Sequence, residues 1–384
     1  MTHKEILNNP ALYMYPLYFS NLNKKPVITM KDGETEYSYA PQKQGIIVLD
    51  YGKVEFNVYA PDAKKVRVSG WGGTMPGTYD LHPVGDGYWQ CVAEDIQPGF
   101  HFCDFFVDDV HIINALAPVG YGRFEPNNFF EMPWGEESSF WMLQDVPHGT
   151  VHMEYYFSTL TGKTRLCNVY TPPAYDPKKK YPVLYIQHGG GENETAWLWF
   201  GKINFICDNL IASGEIEEMI VVMNDGYAFI DGPDNDPGCG RIDELLVQDC
   251  IPFIDKKYST IPDRHYRAIA GLSMGGVQSN GTIIRHHDAF ASAGIFSGGW
   301  LEKGIGFDGT GLFDNKETFD ENFDLIFIAA GQSEQPMCDN LLRQVEEYRS
   351  RGLNMHFFSW PGFHEWDVWR HAAKEFMKLL FKNK

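Results

Sequence analysis

The run YPVLYIQH, residues 181–188, is apolar almost without a break. A strand with one wet face alternates, so an unbroken run predicts a strand buried on both faces, as in the middle of a parallel sheet. The chain beyond it keeps to that theme. Helical patterns near 202–213, 242–257, after Ser273, near 339–351 and from Trp366 onward alternate with the strand-like segments EMIVVMN, RAIAGL, ASAGIFS, LIFIAA and NMHFFSW. Alternation of this kind predicts an α/β domain with a mostly parallel sheet, here residues 146–384. Two paired strands, EYYFST and TRLCNVYT, open it.

At 384 residues the chain is too long for one ordinary core, and its first part reads differently. KVEFNVYAPDAKKVRV puts Val54, Phe56 and Val58 on one face, turns at Pro61-Asp62, and resumes alternation at Val66 and Val68. GYWQCVAEDI and GFHFCDFFVDD are two more short strands, and no amphipathic helix is expected before about residue 135. Short strands at regular spacing predict a small β-sandwich over residues 41–145, preceded by an N-terminal arm over residues 1–40.

Charge and motifs exclude several functions. A formal net charge of −19 argues against nucleic acid, anionic membranes and strongly anionic ligands as partners. No apolar run is long enough to span a membrane. The seven cysteines are scattered, with no CxxC pair, so neither a disulfide framework nor a zinc site is signalled. No phosphate-binding glycine loop follows a strand, and PDNDPG lacks the spacing of a calcium loop and reads as an acidic surface turn. No cofactor or metal is therefore expected. The N-terminus lacks the apolar core and small-residue cleavage site of a signal peptide. An intracellular protein and a secreted one whose leader was removed both fit.

Ligands of open α/β sheets bind beyond the carboxyl ends of the strands, and the polar residues at those ends form a pattern. RAIAGL runs into Ser273 and then a helix, with Gly271 and Gly275 two residues to either side. That is the form of a nucleophile elbow, in which small residues let strand and helix crowd together around a lifted hydroxyl. The base would be His364, in GFHEW between the last strand and the last helix. Val368 stands where an HExxH zinc motif needs its second histidine, and His286-His287 read as surface residues. Glu334, just past LIFIAA, is the favoured acid, with Asp339 the runner-up because it can instead cap the next helix. The order Ser273, Glu334, His364 is that of a hydrolase triad. The oxyanion hole would use the N–H of Met274 and that of Gly190, with Gly191 next, in the loop His188-Gly189-Gly190-Gly191.

With these residues in place, the chain from about Pro147 onward resembles carbohydrate esterase family 1, the esterase-D-like branch of the α/β hydrolases. The likeness is carried by VYTPPAYDPKKKYPVLYIQHGGG, DCIPFIDKKYSTIPDRHYRAIAGLSMGG and GFHEWDVWR. It implies a metal-free Ser-His-acid esterase and supports Gly190 and Met274 as oxyanion donors. Many members carry Asp in the acid loop, where this chain has Gly331-Gln332-Ser333-Glu334. KVEFNVYAPDAKKVRVSGW and the strands after it resemble E-set, immunoglobulin-like modules related to glycogen-binding modules of family 48, with Trp71 and Trp89 as candidate sugar platforms.

The expected function is a plant cell-wall esterase, foremost a feruloyl esterase, acting on feruloylated or acetylated xylan oligosaccharides. An acetylxylan esterase and an enterobactin-type siderophore esterase are the rivals, and a non-catalytic glycan-binding protein is the reading of another class. An aryl-acyl pocket needs flat apolar walls, for which Trp197, Trp199, Tyr227, Phe229, Trp300 and Trp366 are candidates. Oligomeric state is not legible.

Overall fold

A computed structural model describes residues 3–9, 12–13, 24–71, 75, 77–133, 135–230, 240–304 and 306–382. PDNDPG lies outside these. The chain divides into two compact units, Met1–Tyr121 with Glu125–Leu143, and Gly122–Phe124 with Gln144–Lys384.

The first unit corrects the expected N-terminal arm in part. A short helix covers His3–Leu7, and strands β1 (Lys24–Lys31) and β2 (Glu34–Pro41) pair antiparallel as a hairpin. The signal for it in the sequence is Asp32-Gly33, whose φ values of 53° and 83° give the doubly left-handed turn that Asp-Gly favours. The remaining strands are β3 (Ile46–Asp50), β4 (Lys53–Tyr59), β5 (Val66–Gly70), β6 (Thr78–Gly85), β7 (Tyr88–Ala93), β8 (Gly99–Val107), β9 (Val110–Ile112), β10 (Val119–Gly122) and β11 (Glu125–Met132). They follow the order β10-β11-β8-β5-β6-β7-β4-β3, with β9 on β8. Strand β6 turns the corner of a β-sandwich: Thr78–Leu81 pair with β5, and His82–Gly85 pair with β7. Val54, Phe56, Val58, Val66 and Val68 are all buried, as their alternation predicts. Phe56 packs its ring edge-on to Phe105 and Phe130.

The second unit is an α/β domain built on one eight-stranded sheet. Its strands are β12 (Thr150–Ser158), β13 (Lys163–Thr171), β14 (Val183–Gln187), β15 (Ile220–Asn224), β16 (Arg267–Leu272) and β17 (Ser292–Phe296), then a two-residue ladder β18 (Lys303–Gly304) with β19 (Phe307–Asp308), and finally β20 (Leu325–Gly331) and β21 (Met355–Trp360). The main sheet has the order β12-β13-β15-β14-β16-β17-β20-β21. Its first two pairings are antiparallel and all the others parallel. Every residue of β14, β15, β16, β17 and β20 is buried, which is why these segments read as unbroken apolar runs. Helices Ala196–Trp199 and Lys316–Asn322 are additions that periodicity does not mark. Both are too short to show a repeating apolar face. Because β14, β16, β17, β20 and β21 are consecutive and parallel, the segments leaving them share one edge of the sheet. Those segments contain His188–Gly191, Ser273, Ser297, Glu334 and His364.

Candidate active site

At the end of β16, Ser273 adopts φ 52° and ψ −116°, outside the regions a non-glycine residue favours. The strain is held by packing that only glycine permits. A Cβ on Gly271 would lie 2.4 Å from the Gly275 carbonyl oxygen. One on Gly275 would lie 2.6 Å from the carbonyl oxygens of both Gln187 and His188. The Ser273 N–H donates to Phe296 O at 2.8 Å, tying the turn to the end of β17. Helix Met274–Arg285 starts directly after it, so the Met274 N–H is a first-turn amide with no intrahelical acceptor. Gly275→Ala should lower stability by about 1–3 kcal/mol, read as an earlier urea midpoint, because backbone rather than a flexible side chain must yield.

Glu334 and His364 are brought together. His364 Nδ1 lies 2.6 Å from Glu334 Oε1. A carboxylate oxygen only accepts, so Nδ1 is the donor in that bond and Nε2 is the ring nitrogen left over. The other carboxylate oxygen, Oε2, accepts from the Gly331 N–H at 2.6 Å and the Ser297 hydroxyl at 2.7 Å. Ser297 Oγ in turn accepts from the Trp369 indole at 3.0 Å. Ser297 has φ 49°, a second strained serine at a strand end. The acid and histidine loops are also joined by backbone bonds, Gln332 N–H to Trp360 O and Ser333 N–H to Gly362 O, each 2.9 Å. Asp339 lies instead in the first turn of helix Met337–Ser350, exposed and bonded to Gln335.

Burial alone would raise the Glu334 carboxyl, but the bonds from His364, Ser297 and the Gly331 N–H outweigh it, so its pKa falls below the ordinary value. A depressed folded pKa contributes stability above the unfolded pKa, and that contribution is lost as pH falls through the folded value. Between about pH 5 and pH 3, Glu334→Gln should therefore lose less stability than the wild type in parallel urea titrations.

The loop after β14 has only certain amides to spare. The Gly189 N–H donates to Glu192 Oε2 at 2.8 Å, and the Gly191 N–H to Tyr227 Oη at 2.6 Å. Among the described residues the Gly190 N–H has no partner, and a Cβ on Gly190 would meet nothing within 4 Å. A Cβ on Gly189 would lie 3.6 Å from Ser273 Cβ, so loop and elbow are neighbours. His188 is buried and holds the loop: its Nε2 accepts from the Gly226 N–H at 2.8 Å, so Nδ1 carries the proton given to Gly189 O at 2.8 Å. Among the described residues the amides of Gly190 and Met274 are thus both left without an acceptor near the elbow. Gly191, at φ 78°, is spoken for.

The aromatic candidates separate. Trp197, Trp300 and Trp366 are 1%, 3% and 1% exposed, which corrects their reading as pocket walls. Trp197 donates to Gln187 O at 2.8 Å and meets Trp366 edge-on at 5.1 Å, and Trp300 packs against Phe313. Trp197 and Trp366 are buried with their one N–H satisfied by a single acceptor, Gln187 O and Glu192 Oε1 respectively. Trp199 is half-buried. Tyr227 and Phe229 stack at 5.8 Å, both half-buried, beside the Gly191 amide. Phe124 joins them, its ring 6.5 Å from Tyr227 and its N–H donating to Gly191 O at 2.8 Å. In the first unit Trp71 is 61% exposed, while Trp89 is part-buried and bonded to Ala60 O.

A family model described as "Putative esterase" matches residues 158–377. The chain belongs to this esterase family. The chain is 32% identical over 356 residues to an endo-1,4-beta-xylanase/feruloyl esterase of Xylanibacter ruminicola, covering 89% of this chain and 46% of that relative. It therefore spans less than half the length of that protein. Among solved structures, a serine-to-alanine variant of the feruloyl esterase module from Clostridium thermocellum, complexed with sinapinate, matches with TM-score 0.52 and 26% identity over 64% of this chain and 92% of that one. The enterochelin esterase from Shigella flexneri matches with TM-score 0.61 over 86% of this chain and 92% of that one, at 14% identity, a likeness of fold alone. The α/β-hydrolase fold and the esterase family expected from the sequence are both met.

Proposed function

We propose that the protein is a feruloyl esterase, releasing hydroxycinnamates from arabinoxylan through an acyl-serine intermediate. The observation that carries the aryl-acyl reading is the Tyr227–Phe229 stack, anchored beside the spare Gly190 amide by the Gly191–Tyr227 bond. Flat half-buried rings there suit a planar phenolic acid better than an acetyl group. The relatives, a xylanase/feruloyl esterase and a feruloyl esterase module holding sinapinate, support the same substrate class.

In this reading Ser273 Oγ attacks the ester carbonyl while His364 Nε2 takes its proton. The carbonyl oxygen becomes an oxyanion on the N–H groups of Gly190 and Met274. Glu334, held by Ser297 and Gly331, stabilises the imidazolium through Nδ1. The C–O bond to the sugar then breaks, and Nε2–H protonates the departing alkoxide. Water attacks the acyl-serine, giving its proton to Nε2, and the second tetrahedral species collapses to free acid and the Ser273 hydroxyl.

Initial rates on methyl ferulate, acetylated xylan and a catecholate trilactone test the proposal. Methyl ferulate should be turned over with the highest kcat/KM of the three. Acetate release outpacing ferulate release would replace it with an acetylxylan esterase, and turnover of the trilactone alone would end the cell-wall reading.

A further inference from the structure

Glu192 follows the triple glycine and is 7% exposed, a carboxylate taken almost wholly out of water. Among the described residues no Lys or Arg pairs with it. Burying such a group is costly unless its oxygens are satisfied, and each oxygen has one donor. Oε2 accepts the Gly189 N–H at 2.8 Å, and Oε1 accepts the Trp366 indole N–H at 3.1 Å. Burial pushes the Glu192 carboxyl above its ordinary pKa, and the two bonds, both from groups that only donate, work against that by favouring the ionised carboxylate. The two bonds join different parts of the site. Gly189 immediately precedes the proposed oxyanion donor Gly190, and Trp366 opens helix Trp366–Leu379 two residues after His364. The same helix places Trp369 on Ser297 and, through it, on Glu334.

We infer that Glu192 is a positioning residue that locks the Gly190 amide to the helix carrying the histidine loop, so that oxyanion donor and base keep one geometry during turnover. An anion so near the oxyanion is electrostatically adverse, so its contribution lies in geometry rather than in charge. The inference rests on Ser273 as nucleophile and on Gly190 as donor. It explains why a buried acid stands where any small polar residue could end a loop. It also explains why Trp366, close in sequence to His364, points into the core rather than at substrate.

The test compares wild type, Glu192→Gln, Glu192→Leu and Trp366→Phe on 4-nitrophenyl acetate, and in inactivation by a 4-nitrophenyl alkylphosphonate, whose phosphoryl oxygen occupies the same two amides. Losing an oxyanion donor outright costs about 10²–10³ in kcat, so loosening one should cost less. Glu192→Gln keeps one acceptor and should lower kcat about 10-fold, Glu192→Leu about 100-fold and Trp366→Phe about 3-fold. KM should stay within about twofold, with the inactivation rate falling in step with kcat. A merely structural role would lower the melting temperature and the active fraction without moving the phosphonate rate of the active molecules. Wild-type kcat and phosphonate rate in folded Glu192→Gln overturn the inference, as does a loss carried by KM. If the Glu192 variants do not fold, Trp366→Phe decides it by the same two rates. Absence of a phosphonate adduct on Ser273 in the wild type would instead overturn the nucleophile assignment beneath it.

Discussion

Ser273→Ala should abolish ester hydrolysis while leaving the fold intact, with kcat on methyl ferulate falling by at least about 10⁴-fold. The variant loses the one oxygen able to form the acyl intermediate and nothing that holds the elbow. The packing that forces the turn comes from Gly271 and Gly275, whose surroundings leave no room for a Cβ, and from the backbone bond to Phe296. Alanine meets the same φ of 52° as serine, so the thermal midpoint should move little. Remaining rate over water would come from the two amides and substrate binding. Retention of more than about 1% of wild-type kcat, with contaminating esterase excluded by titration, would remove Ser273 from the mechanism.

His364→Ala is expected to be nearly as severe, about 10⁴-fold in kcat, because the hydroxyl then has no acceptor for its proton and the leaving alkoxide no donor. His364 is 48% exposed in its side chain, and its ring rests edge-on to Trp369 at 5.0 Å. The truncated site should therefore admit small bases. Added imidazole should restore part of the rate in a saturable manner, while Glu334, still held by Ser297 and the Gly331 N–H, keeps its place. A variant that folds, loses activity and gains nothing from imidazole would point to a positional rather than a proton-transfer role for His364.

The parallel sheet is legible in the amino-acid sequence because strands buried on both faces cannot alternate, and β14, β16 and β20 show no exposed residue. The elbow is legible because crowding forbids side chains at fixed offsets from the serine, and a five-residue window records that constraint. The residues that fix the acid and the loop are not legible. Ser297 reaches Glu334 across 37 residues, and Trp366 reaches Glu192 across 174, so neither leaves a local pattern. Glu192 is inconspicuous because a polar residue after glycines reads as solvated loop, and only burial shows otherwise. The tryptophans mislead for the opposite reason. Nearness in sequence to a motif says nothing about which way an indole faces, and Trp197 and Trp366 pack against each other below the site. The hairpin of the first unit does carry a local signal, Asp32-Gly33, at a place where a polar, charged stretch otherwise reads as an unstructured arm.

Ester hydrolysis by the proposed route runs through a covalent acyl group on Ser273. Its most direct test is peptide mapping by mass spectrometry after inactivation with a fluorophosphonate, with activity followed in parallel. One adduct per active molecule is expected, on Ser273 in the peptide containing AGLSMGG, with activity lost in proportion to labelling and wild-type protein protected by methyl ferulate. Complete inactivation with the adduct on any other residue, or full activity after stoichiometric labelling of Ser273, would contradict it.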